Sequence, residues 1–301
     1  MGGLMSENKK ALFAYLAVCL FWGSTYLAIR IGVRDFPPSL FASFRFLVAG
    51  SVMLSIVYIR KLKFPSKKNV VIKQSIVGLF MLLGGTGFVC HAEKTLQSSI
   101  ASLIISTVPL FIALLEIVIL RKKKMSKVGV LGLIIGFAGV AYLALSGGET
   151  LIFDPKGMIL TLFASLFWSI GSVFAKSIES DGHIISNIGI QMLSGGIGLF
   201  ILGSVTGELS QMHPSKESVV ALFYLIIFGS LVAYSCYIYA LDKWPASRVG
   251  TYAYVNPVVA LILGVLVLNE PINLSIVFSM MIIITGVILV QKSKIDDVKQ
   301  P

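Results

Sequence analysis

Ten apolar segments, each close to the length that crosses a bilayer, follow one another along this 301-residue chain. About 20 apolar residues span the hydrocarbon core as a helix. Inside that core every backbone polar group must be bonded within the protein, so segments of this length read as helices. They run 11–30, 38–59, 71–90, 97–120, 127–145, 157–176, 184–205, 217–240, 246–268 and 273–291. Turn or charge signals separate them: Pro37-Pro38, RKLKFPSKK (60–68), RKKKMSK (121–127), SGGETLIFDPKG (146–157), ESDGH (179–183), HPSKE (213–217), DKWP (242–245) and LNEPIN (268–273). The least sharp break, 91–96, is marked by His91, Glu93 and Lys94. The expected fold is an all-α integral membrane protein with ten transmembrane helices.

The charge pattern agrees. Only 13% of residues are charged and 56% are hydrophobic, against about 25% charged in a soluble domain. The net charge of +11 reads as a topology signal, not as a nucleic-acid surface. With the N-terminus in the cytoplasm, 19 Lys/Arg fall on cytoplasmic segments, 5 fall outside and Arg45 lies within a span. That bias places both termini in the cytoplasm of a cell-membrane protein with an even number of spans. The first segment follows Lys9 and Lys10, is about 19 residues long, lacks a clean small-x-small exit and ends in LAIRIGVRDFPP, so it reads as a retained span. Cys19, Cys90 and Cys236 are dispersed through apolar segments, which excludes a disulfide framework or a paired-cysteine metal site.

Two stretches resemble each other. Residues 21–30 read FWGSTYLAIR and 167–176 read FWSIGSVFAK. Trp22 pairs with Trp168 and Arg30 with Lys176 at an offset of 146; Pro109 pairs with Pro257, Ala92 with Ala240 and Ser99 with Ser247 at 148; Gly139 pairs with Gly286 at 147. Residues 11–145 and 157–291 therefore read as two copies of a five-helix unit. Five is odd, so the second copy enters the membrane upside down. Inverted repeats are a signature of secondary transporters, with the site between the repeats near the midplane.

FWGSTYLAIRIGV, then FPPSLFASFRFLVAG, resembles the start of the EamA family of the drug/metabolite transporter superfamily. TVPLF (107–111), YAYVNPVVA (252–260) and LNEP (268–271) are similar to that family's later signatures. The resemblance spans both repeats. It implies ten helices in two inverted five-helix repeats, a central cavity and alternating-access transport of small metabolites. One position departs from the pattern: Glu270 follows the ninth segment, but Lys122 stands where a second Glu would follow the fourth.

Trp22, Thr25, Tyr26 and Ile29 recur at i, i+3, i+4, i+7 and so share one helix face. Trp168, Gly171, Ser172 and Ala175 share the equivalent face of the sixth segment. Such faces suit a cavity or a close helix contact better than lipid. Arg45 lies about seven residues into the second span. A cation at that depth faces a cavity or a partner, or snorkels to the headgroups; in a cavity it would anchor a substrate carboxylate or phosphate. Pro109 and Pro257 each free a carbonyl four residues earlier, at Ile105 and Ala253, for substrate or simply for a kink. Tyr252 and Asn256 (i, i+4) are expected to line the cavity. Tyr234, Tyr237 and Gln191 are weaker candidates. Glu116, the carboxylate placed inside a span, and His91 are candidates for proton coupling, although Glu116 could equally pair with Arg121 or Lys122. Glu93 and His91 lie near the outer surface and could titrate in a gate, although solvation is the simpler reading of both. The glycine runs LLGGTG (82–87), GLIIGFAG (132–139) and SGGIG (194–198) read as close-packing faces; GGTG lacks the strand and GKS/T of a phosphate loop.

The leading function is a secondary transporter, exporting amino acids or related metabolites. Its partners would be a small-molecule substrate and the lipid bilayer, with no nucleic acid; a homodimer is compatible with this reading. No cofactor, metal or ATP-binding motif is expected. An enzyme would need a nucleophile with its base, or a metal cluster, at membrane depth; HExxH and GxSxG are absent and His91, His183 and His213 fall in the breaks. The alternative is a non-transporting receptor or scaffold, for which the short loops leave little recognition surface.

Overall fold

The computed structural model describes residues 2–120, 126–145 and 154–292, with side chains except at 2–6, 8, 116–120, 144, 247, 290 and 291. The described residues are helical, with no strand among them. The helices are α1 (Gly2–Gly32), α2 (Pro38–Ile59), α3 (Lys68–Ala92), α4 in two pieces (Ser98–Ile105 and Val108–Leu120) and α5 (Lys127–Leu145). Then come α6 (Pro155–Lys176), α7 (Ile184–Val205), α8 (Lys216–Lys243), α9 (Tyr252–Leu268) and α10 (Leu274–Lys292). Seven are long and apolar enough to cross a membrane; α5, α9 and α10 contribute shorter apolar stretches.

The helix ends follow local chemistry. Pro38 and Pro155 start α2 and α6 at the position where a missing N–H costs nothing. Asp154 caps α6 through the Lys156 amide at 3.1 Å, and Ser215 caps α8 through the Ser218 amide at 3.1 Å. α9 closes on Asn269 in the left-handed conformation, φ 53°. The two cations noted at equivalent positions end their helices alike. Arg30 of α1 donates to the Glu93 carbonyl, and Lys176 of α6 donates to the Leu241 carbonyl at 2.6 Å. Each uses its charge on a carbonyl at the end of a neighbouring helix.

Two helices contain π-helical turns at matching places: Leu79–Thr86 in α3 and Leu225–Tyr234 in α8. Left-handed residues Lys61 and Gly207, each just past the second helix of its half, also lie 146 apart. α2 packs on α7, α5 on α10 and α4 on α9; α1 packs on α8 and α9, and α6 on α3 and α4. Exchanging each helix for its counterpart five places along leaves these pairings unchanged.

Between lipid-embedded helices, close backbone approach replaces the hydrophobic effect as the source of contact energy. At the α5–α10 crossing, a Cβ on Gly286 would sit 2.3 Å from the Gly136 nitrogen. The GxxxG spacing read in α5 is therefore used: Gly132 and Gly136 both meet Gly286.

Three expectations are corrected. α4 stops at Ile105 and restarts at Val108, so Pro109 sits in the first turn of a new piece instead of kinking a continuous helix. The cause is the run Ser106-Thr107, whose hydroxyls turn back onto the Leu103 and Ile104 carbonyls at 2.5 and 2.7 Å. His91 lies in the last turn of α3, not in a loop. Glu93 is fully buried, not solvated, with Arg30 of α1 bonded to its backbone carbonyl and the Glu270 charge near enough to act on it.

Candidate functional site

A cavity of about 70 Å³ lies between the halves, room for roughly five waters or the head group of a small metabolite. Six residues singled out in the sequence meet there: Trp22, Thr25 and Tyr26 from α1, Arg45 from α2, Trp168 from α6 and Tyr252 from α9. The expected face of α1 is the one used, since Ile29 lines the cavity as well.

Its walls are aromatic. Trp22 stands edge-on to Trp168 at 5.1 Å and to Tyr252 at 4.9 Å, in the geometry that aromatic quadrupoles favour. The π-helical turn of α8 supplies the polar fittings. A π-turn shifts carbonyls out of the i→i−4 ladder, and the Gly229 carbonyl accepts from Trp22 Nε1 at 3.0 Å. The next residue, Ser230, accepts from Arg45 Nε at 2.7 Å. A Cβ at Gly229 would lie 2.7 Å from Arg45 Nη2, so a larger residue there would displace the guanidinium.

Arg45 is 5% exposed. Its guanidinium also lies 4.8 Å from the Phe46 ring centre. Among the described residues no carboxylate forms an ion pair with it. A buried cation that faces a cavity without an anion is poised for one.

Of the other candidates Tyr234 also lines the cavity, and the rest lie outside the lining. Ser172 packs behind Trp168, its hydroxyl 2.8 Å from that of Tyr237, which also accepts from Trp168 Nε1 at 3.3 Å. Asn256 is 1% exposed and sits against the Tyr26 hydroxyl, so of the expected Tyr252–Asn256 pair only Tyr252 lines the cavity. Pro109 and Pro257 are buried away from it. The Glu116 side chain lies outside the described residues. His91 is at the far end of α3, its Nε2 3.4 Å from Glu208 Oε1.

Sequence reading undervalued one group. A vestibule of about 390 Å³ opens at the end that carries Lys63 and Lys176, lined by Gln74, Asn187 and Gln191 among others. Gln191 Nε2 donates to Gln74 Oε1 at 2.6 Å, and Tyr234 Oη donates to Gln191 Oε1 at 2.7 Å. Tyr234 also lines the central cavity. A chain of three polar side chains thus separates vestibule from cavity. Glutamines inside apolar helices are the signal that finds it. At the opposite end, Glu208 accepts from Ser39 Oγ at 2.8 Å and the Leu40 amide at 3.0 Å. Glu270 accepts from the amides and hydroxyls of Ser98 and Ser99 at 2.8–3.3 Å.

The profile described as the EamA-like transporter family matches residues 9–145 and again 155–291. The chain is 34% identical to the uncharacterized inner membrane transporter YedA of Escherichia coli K12, over 93% of this chain and 90% of that one. It is 25% identical to the uncharacterized transporter YoaV of Bacillus subtilis, over 93% and 96%. A crystal structure at 19% identity superposes with a TM-score of 0.68, covering 93% of this chain and 96% of its own, which shows a shared fold. A profile that covers nearly the whole chain, and relatives named as transporters, identify a membrane transporter and not an enzyme: the chain belongs to the EamA-like transporter family.

Proposed function

We propose that this transporter carries small anionic or zwitterionic metabolites, amino acids or related compounds, out of the cell by alternating access. Ten spans would form two inverted five-helix repeats, 11–145 and 157–291, with substrate held between them. Support comes from the double profile match, from the paired π-turns and from helix contacts that survive exchange of the halves. By the Lys/Arg distribution the end with Lys63 and Lys176, and both termini, would lie in the cytoplasm. The vestibule would then be the cytoplasmic entrance and the Gln74–Gln191–Tyr234 chain its inner barrier.

The observation that carries the reading is Arg45, buried on the cavity wall with no carboxylate paired to it among the described residues. A substrate carboxylate would complete it, while Trp22, Trp168 and Tyr252 would wall the rest of the molecule. Truncating one partner of a buried charge pair costs about 2–5 kcal/mol, roughly 30-fold or more in affinity. Proteoliposomes loaded with a metabolite pool, assayed by mass spectrometry for what leaves, test this. Selective efflux of amino acids that Arg45→Ala abolishes and Arg45→Lys partly restores is the expected result. Efflux unchanged in Arg45→Ala would remove Arg45 from the site.

A further inference from the structure

Glu93 immediately follows α3 and is 0% exposed. Both its carboxyl oxygens are out of solvent and accept no hydrogen bond among the described residues. The Gln97 amide oxygen, four residues on, is likewise buried without a partner. The nearest cation, Arg30, directs Nη1 to the Glu93 backbone carbonyl and not to its carboxyl. From α1, Tyr26 also faces Glu93; from the α9–α10 turn, Glu270 does; from its own helix, Cys90 does. His91 turns away, to Glu208 and the Gly87 carbonyl, and Lys94 is exposed.

The two neighbouring carboxyls have opposite surroundings. Glu270 receives four donors, the setting of an ionised carboxylate. Glu93 receives none among the described residues. An ionised carboxyl left dry and unbonded is far more costly than a neutral one, so such a group takes up a proton.

We propose that Glu93 is a proton-binding site of the gate at the acidic end: the gate closes with the Glu93 carboxyl protonated, and opening to water releases that proton. This rests on the transport reading for the gate's role, but the protonation is measurable without any substrate. Burial, and then the Glu270 charge, push Glu93 well above the usual carboxylate range, against the opposing pull of Arg30. Once wetted, it returns toward about 4.3. Between that value and the raised one, each pH unit favours opening by about tenfold. Low pH therefore holds this end shut.

Infrared spectroscopy of the reconstituted full chain at pH 7 tests the protonation. The expected result is a protonated-carboxyl band that Glu93→Gln removes and Glu270→Gln leaves. A second arm reads the gate: an impermeant maleimide added from the acidic side, against Ile29→Cys on the cavity wall. Its rate should rise about tenfold per pH unit relative to the same cysteine in a Glu93→Gln background, where the gate stays at its closed level. A full band in Glu93→Gln overturns the protonation, and equal pH profiles in the two backgrounds overturn the gate. Should Glu93→Gln fail to fold, titration of the unmodified protein decides: a band already gone at pH 7 overturns the proposal. Absence of flux in the efflux assay with the band intact would instead refute the transport reading.

Discussion

Glu270→Ala removes a cap that one half of the molecule lends to the other. The carboxylate accepts the Ser98 amide at 2.9 Å, the Ser98 hydroxyl at 2.8 Å, the Ser99 hydroxyl at 3.0 Å and the Ser99 amide at 3.3 Å. All sit at the N-terminus of α4, and Glu270 is 8% exposed. Hydrogen bonds to a charged group are worth about 1.5–3 kcal/mol each, and a negative charge at a partly buried helix N-terminus adds up to about 2 kcal/mol. The sum overstates the loss, because water can enter the space a Glu leaves and the hydroxyls can turn to other acceptors. An N-cap alone is worth about 0.5–2 kcal/mol, and breaking a buried charged contact about 3–5 kcal/mol. Between these bounds we expect about 3 kcal/mol, a large part of the roughly 5–15 kcal/mol that holds a folded protein together. Glu270→Gln should lose about half as much, since it keeps one acceptor but turns an amide donor toward other donors. Sodium dodecyl sulfate titration of the detergent-solubilised protein, followed by helix circular dichroism, gives both values. A cycle with Ser98→Ala isolates the coupling. Losses under about 0.5 kcal/mol for both variants would show that water replaces the cap, and the reasoning would fail.

Two further outcomes follow from close contacts elsewhere. Gly286→Ala puts a Cβ 2.3 Å from the Gly136 nitrogen, so α5 and α10 must separate; the same titration should show a loss of about 1–3 kcal/mol, and a neutral result would mean the crossing is not tight. Asp181 is held down to about 2 by hydrogen bonds from Ser66 and Lys63, against an ordinary value near 3.9. A depressed carboxyl stabilises above its ordinary value and loses that contribution as pH falls through the depressed one. The Ser66 amide resonance of nitrogen-labelled protein should therefore shift with a midpoint near 2 and lose that shift in Asp181→Asn; a midpoint near 4 would refute the tie.

The sequence made the helices legible because apolar runs of this length have one solution in lipid. The α1 face was legible because a 3.6-residue period survives any tertiary context, and Trp22, Thr25, Tyr26 and Ile29 all reach the cavity. Arg30 and Lys176 were visible as a repeat, although their carbonyl partners were not. The π-turns have no residue signature, so the Gly229 carbonyl and Ser230, which position Trp22 and Arg45, were out of reach. The caps were hidden for a different reason. Glu208 and Glu270 act on Leu40 and Ser98, 168 and 172 residues away, and local capping patterns look three residues ahead. Glu93, flanked in sequence by His91 and Lys94, has the local composition of a wet turn; only the segments laid over it make it dry.

The two halves match in backbone and differ in chemistry, and that difference says which end yields more readily. At the acidic end, buried carboxylates of the second half, Glu208 and Glu270, hold helix N-termini of the first through charge-assisted bonds. At the opposite end the Lys63 carbonyl accepts from the His183 amide at 2.7 Å and from Ser186 Oγ at 2.9 Å. Those are neutral bonds worth about 0.5–1.5 kcal/mol each. The Lys63–Asp181 pair beside them is exposed and worth little. The wide vestibule lies at this weaker end. A carrier that alternates must also release the stronger end, which parts the halves that the Glu208 and Glu270 caps join; ionised on wetting, Glu93 would repel Glu270 and so offset part of that cost.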